Sequence, residues 1–186
     1  MAPRRRGRTG SVRLSAARSI LSVAILAVSG VIALADPPGD PTAVKQDADG
    51  YWRDKKGDPT YKIEADGTVD FPTFSGFRRY HSDCHVCHGP DGMGSSYAPA
   101  LANSLKTIDY ATFAGIVING RKNLANGNEN VMPSFAENKN VTCYLNDIYI
   151  YLRARSQEAV PRGRPAKHEP KPASFDANET KCMAAD

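Results

Sequence analysis

Cys84-His85-Val86-Cys87-His88 is the stretch on which the reading of this chain turns. Two cysteines separated by two residues, with a histidine directly after, form the C-x-x-C-H pattern for covalent attachment of a c-type haem. The spacing has a physical reason. Within one helical turn two thiols can reach the two vinyl groups of a porphyrin, and the next residue presents an imidazole to the iron. Thioether bonds through Cys84 and Cys87 would hold one ring, and His88 would be its proximal ligand. The same residues allow two other readings. A thioredoxin-like redox pair needs a preceding strand in a βαβ context, and half of a zinc site needs a second pair of ligands. The sequence supplies neither.

Upstream, residues 1–35 carry Arg4, Arg5, Arg6, Arg8, Arg13 and Arg18 but no Asp or Glu. With the apolar run from Ile20 to Leu34 and the triplet Ala33-Leu34-Ala35, they read as a secretory signal cleaved before Asp36. An uncleaved anchor is the alternative, although the run is short for a membrane span. The whole chain has 24 basic and 20 acidic side chains, for a net charge of +4. Without the six arginines the balance is 18 to 20, or −2, so the basic character belongs to the leader. An acidic balance without a basic block argues against nucleic acid as a partner. No second long apolar run follows, so the mature form is expected to be periplasmic, without a membrane span.

The mature chain divides into three parts. Residues 36–72 form a polar, turn-rich extension in which Asp66-Gly67, flanked by Tyr61–Ile63 and Thr68–Phe71, suggests a small β-hairpin. Residues 73–155 carry helical periodicity and are expected to be the haem domain. Residues 156–186, with Pro161, Pro165, Pro170 and Pro172, are expected to be an extended tail without a core of its own. No internal repeat is evident. In the central part Gly76, Tyr80 and Cys84 form one helical stripe, and Leu145, Ile148, Tyr151 and Leu152 form another. Glycine inside a helix suggests close approach, so these two helices are expected to cross at short distance. Between them, Asp109 to Asn119 reads as a third helix, with Asp109 as N-cap and Gly120 as its stop. The fold class is therefore mainly α, packed around one covalent haem that supplies apolar volume the short helices lack.

In an exported chain the two remaining cysteines also need an explanation. Cys143 and Cys182 are expected to form a disulfide pinning the tail to the last helix of the haem domain; free thiols or an intermolecular bridge are the alternatives. The sixth iron ligand has few candidates. Met93 lies five residues past His88, on the proximal side, and Met183 adjoins Cys182. Met132 stands 44 residues after His88, behind an Asn- and Gly-rich loop (123–130) and before Pro133. That placement favours Met132 on the distal side; a space-filling core methionine is the other reading. His81, His85 and His168 are read as solvated or tail residues.

Gly76-x-x-x-Tyr80-x-x-x-Cys84-x-x-Cys87-His88, a proline near residue 99, Met132-Pro133 and Ile148-x-x-Tyr151-Leu152 resemble a class I cytochrome c. Tyr80 to Gly94, Tyr97-Ala-Pro-Ala-Leu101, Gly120-Arg-Lys-Asn123 and Asn130-Val-Met-Pro-Ser-Phe135 are similar to the periplasmic cytochromes of methanol metabolism, cytochrome cL-like acceptors of pyrroloquinoline-quinone (PQQ)-dependent, in particular lanthanide-dependent, methanol dehydrogenases. The resemblance implies Met132 as the axial methionine. It also implies Pro99 as the residue whose carbonyl accepts the proximal imidazole N–H, though Pro99 reads equally as an ordinary loop proline. The implied function is non-enzymatic. Single electrons would pass from the dehydrogenase to a downstream class I cytochrome c or terminal oxidase. Three alternatives stand: service to another quinoprotein alcohol or aldehyde dehydrogenase, a subunit of a different dehydrogenase complex docking through 36–72, and a haem sensor or enzyme with a displaceable Met132.

Overall fold

Asp70 opens the helical part of the chain by capping its first helix. Its carboxylate accepts the Thr73 N–H at 3.1 Å, and α1 runs Phe71–Asp83 with Pro72 in its first turn, where the missing N–H costs nothing. The computed structural model describes residues 38–125 and 128–185, so the expected leader, 1–35, lies outside the described residues. After α1 come α2 (His85–His88), a 3-10 turn (Pro90–Gly92), α3 (Leu101–Ser104), α4 (Tyr110–Asn119), α5 (Lys139–Thr142), α6 (Leu145–Ser156) and α7 (Ala173–Ala184). Three short antiparallel strands precede α1: β1 (Lys45–Gln46), β2 (Trp52–Arg53) and β3 (Pro59–Thr60). The expected helix after Asp109 is present as drawn: the Asp109 carboxylate accepts the Thr112 N–H at 2.8 Å, and Gly120 ends it.

The crossing of α1 and α6 organises the domain. A Cβ built on Gly76 would lie 1.9 Å from the Asp147 carbonyl oxygen and 2.8 Å from the Tyr151 Cβ. The stripe expected of α6 faces this contact: Ile148, Tyr151 and Leu152 are essentially unexposed. The opposite face of α6 is covered as well. Tyr149, Ile150 and Arg153 are equally buried: Tyr149 packs against Tyr110 and Phe113 of α4, Ile150 against Tyr51 and Phe175, and Arg153 against the N-terminal extension. Arg153 donates to the Asp54 carboxylate at 2.7 Å and to the carbonyls of Pro59 and Gly39 at 3.0 and 2.9 Å, a buried ion pair that ties the extension to α6. Tyr51, Ile150 and Phe175 make a second small core joining extension, α6 and α7.

The hairpin around Asp66-Gly67 forms, with a single antiparallel bridge between Ile63 and Val69. Although the sequence shows no repeat, three turns share one hydrogen-bond pattern. The N–H groups of Gly50, Gly57 and Gly67 each donate to the carbonyl three residues before, in Asp47, Asp54 and Glu64. The tail departs from expectation. Its first half is extended, with His168 bridged in parallel to Val69 and its ring stacked on Phe74, centroids 3.6 Å apart. Its last third is helical and shares a core: Phe175 on α7 packs edge-on against Tyr51 and Phe71 at 4.9 and 5.3 Å. Beyond Pro172 no proline interrupts the chain, and the helix forms there.

Asp147 is the costly residue of this crossing. It is buried and accepts the Tyr51 hydroxyl proton at 2.6 Å; burial outweighs the lowering effect of Ser75, Tyr51 and the nearby Arg79 and pushes its carboxyl up to about 7. The unfolded carboxyl titrates near the ordinary 3.8. The stability it contributes is therefore complete below that value and is lost as pH rises through about 7. Two outcomes are expected. Gly76→Ala should lower the unfolding free energy by at least about 3 kcal/mol in chemical denaturation, because the displaced atoms are backbone. Asp147→Asn should gain stability relative to the parent between pH 5 and pH 8; a difference independent of pH would contradict the assignment.

Candidate haem site

The end of α1 delivers the C-x-x-C-H residues. The Cys84 N–H still donates to Tyr80 at 2.9 Å, and the His88 N–H donates to Cys84 at 3.0 Å, so the motif continues as one further turn. Among the described residues Cys84 and Cys87 are the free cysteines, while Cys143 and Cys182 form a disulfide. The expected partition of four cysteines into two pairs is thus present. What precedes Cys84 is a helix, not a strand, which removes the thioredoxin-like context. Burial and the neighbouring Asp83 push the Cys84 thiol up to about 12, the opposite of what a thiolate nucleophile requires. Among the described residues no three His, Cys, Asp or Glu side chains converge as they would to hold a metal ion.

His88 is buried, and its Nδ1 lies 2.9 Å from the Pro99 carbonyl. A carbonyl only accepts, so Nδ1 carries the proton and Nε2 keeps its lone pair for a metal. Pro99 therefore stands where the resemblance implies. Tyr80 is fully buried and donates its hydroxyl proton to the Gly89 carbonyl at 2.5 Å, fixing the chain immediately after His88.

Met132 arrives differently from expectation. The Asn-rich segment read as a loop is a β-hairpin, β4 (Arg121–Ala125) paired with β5 (Asn128–Met132) in a register that sets Arg121 opposite Met132. The intervening sequence, Asn126-Gly127, is the pair that tight hairpins favour. Met132 is half-buried and packs against the main core at the last position of the second strand. Its backbone is held from behind. Ser134 donates its hydroxyl to the Ile118 carbonyl at 2.5 Å, and Phe135 donates its N–H to Val117 at 3.0 Å, so the end of α4 grips the residues after Pro133. Gly120, at φ 72, lets the strand pass: a Cβ there would sit 2.7 Å from the Met132 carbonyl oxygen.

The residues present fit a covalently held haem: two free thiols one turn apart, an imidazole with its iron-facing nitrogen unprotonated, and a thioether on a separate braced segment. Met93 is exposed, with its sulfur 3.6 Å from the Arg155 guanidinium, and Met183 is on the tail helix. His85 has a buried Nδ1 without a partner, whereas His81 donates from Nδ1 to the Phe77 carbonyl at 2.8 Å. A cavity of about 270 Å³ lies elsewhere, between α1, α6 and α7. Sequence reasoning passed over Asp91, which lies just past His88, gathers contacts from α1, α6 and the tail, and whose only sequence signal was its place in Gly-Pro-Asp-Gly.

Comparison with known proteins agrees with this geometry. Residues 73–152 match the family model described as cytochrome c oxidase, cbb3-type, subunit III. The chain is 47% identical to cytochrome c-553I of Paracoccus denitrificans over 161 residues, 87% of this chain and 70% of that protein. It is 40% identical to cytochrome c-555 of Methylococcus capsulatus over 96 residues, 51% of this chain and 72% of that one. The crystal structure of the c-type cytochrome XoxG from Methylobacterium extorquens AM1 superposes with a TM-score of 0.70 at 48% identity, covering 80% of this chain and 98% of that one.

The Cys143–Cys182 bridge joins residues 39 positions apart and returns α7 to the end of α5. Replacing both cysteines by serine should cost about 4 kcal/mol in chemical denaturation, from the loop-closure entropy regained by the unfolded chain. The C-x-x-C-H residues should be unaffected, read as an unchanged haem content per chain.

Proposed function

We propose that this chain, which belongs to the c-type cytochromes, is a periplasmic carrier of single electrons that holds one haem through Cys84 and Cys87, with His88 and Met132 as its axial ligands. The observation that carries the reading is the bond from His88 Nδ1 to Pro99, which commits the ring to the tautomer an iron requires, while a separate braced strand end carries the Met132 thioether. A haem c bound there supplies a one-electron iron couple, and an imidazole–thioether pair favours the ferrous state while keeping the coordination number constant. The chain's own part is to keep both ligands in place, so that little rearranges when the charge changes.

The surface suits brief encounters. Val86, between the two cysteines, is 72% exposed, and Val131, beside Met132, is 56% exposed. Both segments that bear the proposed ligands thus present apolar surface to a partner, which can dock and leave without stripping water from charges. Among the described residues no helix is long and apolar enough to cross a membrane. The donor we infer is a PQQ-dependent methanol dehydrogenase of the lanthanide-dependent kind, and the acceptor a downstream class I cytochrome c or terminal oxidase. Support for the donor comes from the resemblance of residues 80–94, 97–101, 120–123 and 130–135 to the cytochromes of methanol metabolism.

Two outcomes are expected. Met132→Ala should abolish the absorbance of methionine-to-iron ligation and open the iron to added ligands such as azide, leaving haem content unchanged; a spectrum identical to the parent's would reassign the ligand. Mixing the cytochrome with reduced methanol dehydrogenase in a stopped-flow instrument should reduce the haem quickly, at a rate that changes with ionic strength. Faster reduction by another alcohol or aldehyde dehydrogenase would overturn the methanol assignment and leave the carrier role intact.

A further inference from the structure

Asp91 lies three residues past His88, is 6% exposed, and holds φ at 58, a left-handed conformation that Asp and Asn adopt more readily than most side chains. It is a meeting point of four segments. Its carboxylate accepts the Gly163 N–H at 3.0 Å, the Tyr151 hydroxyl at 3.3 Å and the Arg162 Nε–H at 3.4 Å. Its own N–H donates to His81 Nε2 at 3.3 Å, and its carbonyl accepts from Arg155 Nε at 3.3 Å. Although burial pushes the carboxyl up, the Gly163 N–H and the Arg162 guanidinium outweigh it and hold the group below its ordinary value, so it is anionic.

The segment that Asp91 anchors is the one that holds the proximal histidine. Gly94 donates its N–H to the His88 carbonyl at 2.7 Å, and Ser95 donates its hydroxyl to Cys87 at 2.5 Å. The same run continues to Pro99, whose carbonyl takes the His88 Nδ1 proton. Residues 89–99 therefore form a collar around His88, closed on one side by the motif itself and on the other by Asp91. Arg162 and Gly163, which clamp Asp91, lie outside residues 73–152, the part of the chain that matches the family model.

We propose that Asp91 is a positioning residue for the proximal ligand: clamped by Arg162 and Gly163 of the tail and by Tyr151 of α6, it presses the collar onto His88, keeps the Pro99 hydrogen bond short, and so sets the reduction potential of the iron. This rests on the reading of His88 as a haem ligand. A strong Nδ1–H bond makes the imidazole a better donor and favours ferric iron, so loosening the collar raises the potential. A point charge acts differently. Removing the negative Asp91 would also raise the potential, whereas removing the positive Arg162 would lower it. The sign of the Arg162 effect separates the two accounts.

The experiment compares the holoprotein with Asp91→Asn and Arg162→Gln by redox titration and by exchange of the His88 Nδ1 proton in the reduced state, followed by NMR. Asn tolerates the left-handed backbone, and Arg162 is 64% exposed, so both variants fold. The expected result is an upward shift of potential in both variants, with exchange on the order of tenfold faster in Asp91→Asn, as loss of a charge-assisted contact predicts. A potential that rises in Asp91→Asn and falls in Arg162→Gln, with exchange unchanged, overturns the proposal in favour of a simple charge. Potentials unmoved in both reduce Asp91 to a brace for the tail. If the unmodified protein lacks a low-spin spectrum with covalent haem, the reading of His88 falls and takes this proposal with it; with that spectrum intact, a negative result counts against Asp91 alone.

Discussion

The absence of one Cβ governs this molecule. At Gly76, α1 lies against the Asp147 carbonyl of α6 with no room for a methyl group. That contact fixes where α1 points when it runs into Cys84, and it brings Tyr151 and Arg155 of α6 to the loop after His88. It also puts Asp147 in the interior, where only the Tyr51 hydroxyl and its neighbours stand in for water. The two helices form a frame. On one side of it the chain builds the haem segments; on the other, Arg153 receives the N-terminal strands and Ile150 receives Phe175 of the tail helix.

The site follows from how that frame distributes tasks. The proximal segment is continuous with α1 and is held by hydrogen bonds from Tyr80, Gly94 and Pro99. The methionine comes from a separate unit, a hairpin gripped by the end of α4. In the proposed ligation, an imidazole on a rigid turn and a thioether on an independently braced strand would keep their places whichever charge the iron carries. Such constancy lowers the reorganisation that accompanies electron transfer, and it asks nothing of acid–base or nucleophilic side chains.

Much of this was legible in the sequence because the signals were local or chemically unambiguous. C-x-x-C-H, the Asp109 cap with its Gly120 stop, the glycine of α1 facing the stripe of α6, and the leftover cysteine pair each carry their own geometry. Pro99 was legible only through resemblance, since one proline in a loop says nothing about its carbonyl. Other features depend on partners distant in the chain. The full burial of α6 follows from coverings supplied by residues 38–60, by Tyr110 and Phe113 of α4 and by residues 173–184, although Tyr149 and Ile150 opposite the expected stripe hinted at it. The Asn-rich segment concealed a hairpin, because its residues carry little β propensity and the Asn-Gly pair was the one cue. The tail's prolines end at Pro172, and the helix beyond depends on a disulfide and on Phe175 finding Tyr51. Asp91 was missed because its importance lies in five contacts from three other segments, α1, α6 and the tail, not in any motif.

The central claim is a division of four cysteines: two carry a haem, and two carry the tail. Mass spectrometry of the secreted protein, denatured and digested without reduction, tests it most directly. The account predicts a peptide containing Cys84 and Cys87 heavier by one haem and resistant to extraction with acidified organic solvent, and a second species in which Cys143 and Cys182 are joined. A haem that extracts freely, or a Cys84–Cys87 disulfide with no haem attached, would contradict it.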